Sequence, residues 1–136
     1  MKPFAIWVVL TLTLFGAISG AYHVYLRTNP RKILVAVDSS FSMNTVWPQI
    51  HRQLDAISDQ RYASFCLVTE KNKVHSWSPT LQMGEIVPYA PRDFSKLSNP
   101  SLYTELAEAD EKYLITDKEG AQSGNIGDWN VIRLMP

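Results

Sequence analysis

The sequence predicts an α/β fold: a small, mostly parallel, doubly wound sheet with flanking helices, preceded by one transmembrane helix. Three observations carry that expectation. Residues 4–22 run for 19 positions without a charge. From residue 33 onward, apolar runs and helix-periodic segments alternate in the order strand, helix, strand, strand, helix, strand. The first and fourth of those strands each end in an aspartate, Asp38 and Asp117. The same order suits a ferredoxin-like arrangement. The two strand-end aspartates favour the doubly wound sheet, where ligand sites lie beyond the C-terminal strand ends.

The apolar stretch comes first. Phe4 to Tyr22 meets the roughly 20-residue length of a membrane-spanning helix, and it is apolar on every face, which a core helix rarely is. Tyr22 and Tyr25 fall where an interface favours aromatic rings. Lys2, the apolar run and the small residues Gly16-Ala17-Ile18-Ser19-Gly20-Ala21 also fit a cleavable signal cut after Ala21. Apolar character continuing through His23-Val24-Tyr25-Leu26 favours a retained anchor. Lys2 and the amino terminus oppose Arg27, Arg31 and Lys32, so flanking charge barely decides orientation. The signal-like start favours a soluble part outside the cytoplasm. The expected organisation is an anchor at 1–27, a polar linker at 28–32 and one domain at 33–136.

Within that domain, Ile33-Leu34-Val35-Ala36-Val37 has the length and β-branching of a buried parallel strand. Trp47, Ile50, Leu54 and Ile57 recur at three- and four-residue steps, one face of a helix, with Pro48 in its first turn. Residues 62–69 and 73–77 read as strands joined by Glu70-Lys71-Asn72. The segment 78–97, with Pro79, Pro88 and Pro91, is irregular. Ser98-Asn99-Pro100 starts a short helix over 100–110. Lys112 to Thr116 forms a strand ending at Asp117. Glu119 to Asp128, with Gly120, Gly124 and Gly127, reads as a loop, and Trp129 to Leu134 as a last strand.

Thirteen basic residues balance thirteen acidic ones, so nothing points to nucleic acid. The single cysteine, Cys66, excludes an internal disulfide and sits in an apolar run, as a buried structural thiol does. His23, His51 and His75 are scattered and form neither a triad nor a zinc set.

Chemistry concentrates at Asp38-Ser39-Ser40-Phe41-Ser42, one carboxylate and several hydroxyls on the turn after the first strand. Hard oxygen ligands of this kind suit Mg²⁺ or a similar cation. The Asp-x-Ser-x-Ser of Asp38, Ser40 and Ser42 resembles the start of the metal-ion-dependent adhesion site of von Willebrand factor A (VWA) domains. Tyr113 to Asp117 resembles the strand that carries a later aspartate of that site. The resemblance covers residues 33–136 and implies a Rossmann-like sheet. It further implies a Mg²⁺ held by Asp38, Ser40, Ser42 and Asp117, with Ser101 at the family's threonine position and Ser98 and Thr104 as alternates. A protein partner's carboxylate would complete the octahedron. It implies an interaction module rather than an enzyme. Membrane-anchored bacterial relatives serve in complex assembly or maturation, some beside MoxR-type ATPases.

Several features depart from the family pattern. Lys118 replaces the usual glycine after Asp117, and its ammonium would compete with a metal. The domain is short, and a glycine-containing loop stands where a helix usually joins the last two strands. A metal-free scaffold, with the serine loop serving as a helix cap, is the alternative. A haloacid-dehalogenase-like phosphotransfer hydrolase would use Asp38 as nucleophile, but its second carboxylate is here Ser40. A phosphate cradle from Ser39, Ser40, Ser42 and Thr45 lacks the glycines that allow close backbone approach.

Overall fold

A computed structural model of the chain describes residues 2–82, 84, 86–89, 91–99, 101–123 and 129–136. The chain divides into two compact units, Met1–Pro30 and Arg31–Pro136.

The first unit is the helix α1 (Lys2–Thr28), in which no residue is buried. Its 27 residues span about 40 Å at the α-helical rise, enough to cross a hydrocarbon core. The hydroxyls of Thr11 and Thr13 donate to the carbonyls of Trp7 and Val9, each at 2.8 Å, so neither needs water. By length and apolarity α1 can span a membrane; a signal sequence near an N-terminus meets the same test.

The second unit is an α/β domain built on five strands: β1 (Arg31–Val37), β2 (Ala63–Thr69), β3 (Lys73–Ser78), β4 (Glu111–Asp117) and β5 (Asn130–Leu134). Their order is β3-β2-β1-β4-β5, and every pairing is parallel except the β2–β3 hairpin. The sheet is therefore mostly parallel, as the alternating pattern predicts. β1 is central because its run Ile33–Val37 is apolar at consecutive positions and can bury both faces.

Alternation divides the core in two. On one face Ile33, Val35, Val37, Phe65, Leu67 and Ile115 pack with Ile50, Leu54 and Ile57 of α2 (Pro48–Ser58). On the other, Leu34, Ala36, Cys66, Val68 and Leu114 pack with Leu97, Tyr103 and Leu106. The Cys66 thiol donates to the His75 carbonyl at 3.2 Å, and burial pushes its pKa up to about 12. The β2–β3 turn closes around Thr69, whose N–H reaches the Asn72 carbonyl at 2.7 Å and whose hydroxyl oxygen accepts the Asn72 N–H at 3.0 Å.

Two expected elements differ. The helix expected over 100–110 shrinks to α3 (Glu105–Glu108), preceded by a 3-10 turn at Ser95–Ser98. The side-chain carbonyl of Asn99 accepts the Ser101 N–H at 3.0 Å and the Ser101 hydroxyl at 2.5 Å, a local turn that competes with helix. Pro100, expected at its start, lies outside the described residues. The expected loop after Asp117 begins instead as helix α4 (Lys118–Ser123), capped by Asp117, which accepts the Gly120 N–H at 2.8 Å. Gly124, Gly127 and Asp128 lie outside the described residues.

Candidate functional site

From β1 the chain builds β2 and β3 on one side, then returns to build β4 and β5 on the other. Between β1 and β4 the connections leave in opposite directions, which opens a crevice at the C-terminal strand ends. Asp38 follows the last residue of β1, and Asp117 ends β4. The register pairs Val37 with Ile115, and the Asp38 N–H donates to the Ile115 carbonyl at 2.9 Å. Both carboxylates therefore stand at the switch point.

Asp38 is wholly buried. Its Oδ1 accepts the Ser40 N–H at 3.0 Å, which turns the serine loop back over the strand end. Its Oδ2 accepts the Thr116 hydroxyl at 2.7 Å and Arg92 Nε–H at 2.8 Å. Burial works to raise the Asp38 pKa, but the neighbouring Glu70 carboxyl, which takes the proton of the pair, and hydrogen bonds from Thr116 and Ser40 outweigh it and hold the carboxyl below its ordinary range. Arg92 Nη2 donates to Asp117 Oδ1 at 2.7 Å and to Ser42 Oγ at 2.6 Å. Ser40 Oγ and Ser42 Oγ lie 3.1 Å apart. The guanidinium thus joins the ends of β1 and β4 and the serine loop. Burial favours its neutral form, yet the hydrogen bond and charge of Asp38, with Asp117 and Glu70 beyond, raise its pKa overall.

Four of the five residues singled out in the sequence, Asp38, Ser40, Ser42 and Asp117, meet here. Ser101 does not join them; it is exposed, and its hydroxyl is turned to Asn99. Of the alternates, Thr104 donates to Glu105 at 3.4 Å, and the side chain of Ser98 is outside those described. The competing cation is Arg92 rather than Lys118, whose side chain is exposed. Arg92 comes from the proline-punctuated segment, 54 residues from Asp38. Its only signal in the sequence is a basic residue after Pro91, which no spacing rule connects to the aspartates. Thr116 and Gly120, which the sequence reads as strand and loop residues, also belong to the site. A Cβ on Gly120 would overlap Thr116 Oγ1 and lie 3.1 Å from Asp38 Oδ2, so the close approach of α4 to β4 requires glycine there.

Whether Mg²⁺ fits turns on the same oxygens. The ion asks for an octahedron of oxygens at about 2.0–2.1 Å. Here Asp38, Ser42 and Asp117 hold a guanidinium at 2.6–2.8 Å instead. A divalent ion and the seated guanidinium cannot share that centre, so the residues present do not fit the metal. Among the described residues no three His, Cys, Asp or Glu side chains are grouped to hold one.

A second acid–base pair borders the first. Glu70, just beyond β2, is buried, with Oε1 bonded to Lys71 Nζ at 2.5 Å and Oε2 lacking a hydrogen-bond partner among the described residues. Burial first, then Asp38, push its pKa up to about 7. Lys71 Nζ also donates to the Ser39 carbonyl at 3.1 Å and the Ser39 hydroxyl at 3.0 Å, and it lies 4.6 Å from the Tyr89 ring centroid. The Tyr89 N–H donates to the Ser39 carbonyl at 2.7 Å, which ties the 86–89 stretch to the serine loop. A cavity of about 220 Å³ lies against Ser39, Thr69, Asn72, Ile86, Val87 and Tyr89.

No protein-family model matches this chain, and neither the curated proteins nor the solved structures contain a match to it.

Proposed function

We propose that the chain is a membrane-anchored protein-interaction module of the VWA type, presenting the C-terminal edge of its Rossmann-like sheet to a protein partner during complex assembly or maturation. The observation that carries this is the convergence of Asp38, Ser40, Ser42 and Asp117 at the β1–β4 switch point. It supports the resemblance at the strand ends where such a domain would meet its ligand. Exposed apolar side chains surround the position: Phe41 on the serine loop is 60% exposed, as is Val87, and Tyr89 is 46% exposed. Apolar groups rimmed by polar ones suit a protein contact. The helix α1 supplies the anchor.

The hydrolase alternative draws little support from the same geometry. A nucleophilic aspartate must meet its substrate, whereas Asp38 is enclosed and both its oxygens accept internal hydrogen bonds.

Site-specific photo-crosslinking in native membranes tests the proposal. A photoreactive residue at Phe41 or Val87 is expected to give one discrete heterologous adduct, and the same probe at Arg52 on α2 to give none. Adducts of equal yield from all three positions, or only self-adducts, would overturn it.

A further inference from the structure

Of the residues that the Asp-x-Ser-x-Ser resemblance assigns to a metal, Asp38, Ser42 and Asp117 are already bonded to one side chain of the same molecule. We infer that Arg92 is the resident cation of this site, holding Asp38, Ser42 and Asp117 together without a divalent ion and fastening the segment that carries it across the sheet edge. This goes beyond the interaction proposal and stands whether or not that proposal holds.

The chemistry fits a guanidinium in particular. Three N–H groups in one plane reach acceptors on three separate pieces of chain: Asp38 after β1, Ser42 on the serine loop and Asp117 at the end of β4. A lysine ammonium is a point charge on a flexible stem and does not match that fan of acceptors. The Arg92 side chain is only 16% exposed, so its ion pairs are shielded more than surface pairs are. Its segment has a second attachment, the Tyr89 N–H on the Ser39 carbonyl, and Arg92 itself lies 5.8 Å from the Phe94 ring centroid. The site therefore has a cation of its own, placed by the fold.

Two consequences follow from charge. With Arg92 seated, divalent ions have no centre to enter, and the stability of the domain is indifferent to them. With Arg92 removed, Asp38 and Asp117 face each other without a counter-charge, among hydroxyls that suit a hard cation. Loss of the arginine then creates a cation requirement that the native chain lacks.

Thermal unfolding of the full chain in detergent, in EDTA and in millimolar Mg²⁺ or Mn²⁺, tests this. The native chain is expected to melt at one temperature in all three buffers. Arg92→Ala is expected to melt roughly 10 °C lower or more in EDTA. It should regain part of that loss in step with the logarithm of added Mg²⁺ or methylguanidinium. Adding Asp38→Asn should abolish the recovery. Arg92→Lys is expected to fall between native and Arg92→Ala and to ignore Mg²⁺. A native melting point that rises with Mg²⁺ would overturn the inference. So would an Arg92→Ala chain melting with the native one, or one whose loss neither ion relieves. If Arg92→Ala does not fold in any buffer, Mn²⁺ binding to the native chain by electron paramagnetic resonance decides. Free Mn²⁺ throughout upholds the resident guanidinium; one equivalent bound per chain overturns it.

Discussion

Asp38 and Glu70 stand one residue beyond the ends of neighbouring parallel strands, and both are fully enclosed, yet they are solvated by protein in opposite ways. Asp38 has a hydrogen-bond donor on each oxygen and a guanidinium beside it. Glu70 has Lys71 on one oxygen and no partner for the other among the described residues. Burial opposes charge on both. The donors win at Asp38, whose pKa falls, and lose at Glu70, whose pKa climbs to about 7. The two shifts are linked, since each acid is a leading cause of the other's, and the donors around Asp38 settle the shared proton on Glu70. The pair also distributes charge sensibly: Asp38, Asp117 and Glu70 face Arg92 and Lys71, so a proton on Glu70 brings the cluster to neutrality.

The contrast is broken most severely by removing its better-solvated member. Asp38→Ala leaves the Arg92 guanidinium, the Thr116 hydroxyl and the Ser40 N–H short of an acceptor in a closed site. The expected loss is about 3–5 kcal/mol, read as a fall in the urea midpoint of the full chain in detergent. A midpoint equal to the native one would show that these donors find water instead.

Glu70 gives the next effect, and its sign follows from the direction of its shift. The folded-state pKa lies above the ordinary 4.5, so the folded chain holds a proton that the unfolded chain releases. Its contribution is fully present below the ordinary value and is lost as pH rises through about 7. Stability is expected to fall by roughly 2–3 kcal/mol between pH 5 and pH 7.5 from this group. Glu70→Gln keeps a donor at every pH and should flatten that slope. An unchanged slope in the variant would place the titration elsewhere.

Gly120→Ala probes the wall behind Asp38. The added methyl collides with Thr116 Oγ1 and crowds Asp38 Oδ2, so Thr116 or α4 must move. A loss of about 1–3 kcal/mol is expected, measured in the same urea titration. The smallest effect sharpens the boundary of the site. Ser101→Ala should stay within about 0.5 kcal/mol of native, since Ser101 is exposed and, among the described residues, its side chain bonds to Asn99 alone.

Features written in one element were legible in the sequence. The run Ile33–Val37 announced a strand buried on both faces, and Ile50, Leu54 and Ile57 announced the inner face of α2. Asp38 and Asp117 could be placed together because parallel strands put their ends on one edge. What could not be read were contacts set by the path of an irregular chain. Arg92 reaches Asp38 from the same irregular segment whose Tyr89 bonds the serine loop, and no periodicity encodes that approach. The misplacement of Ser101 has the same origin: the position was taken from a helix expected at 100–110, and the Asn99 turn delays helix to Glu105. Gly120 read as part of a loop, whereas its missing Cβ is what lets α4 begin against Thr116.

The lone thiol of Cys66, set in β2 with its proton on the His75 carbonyl, makes the sheet self-reporting. Only the thiolate reacts with an alkylating reagent, and the thiolate requires solvent that native β2 excludes. Alkylation of the native chain therefore tracks the population of the state in which β2 is opened to solvent, and its rate in each variant above gauges how far that opening has been eased.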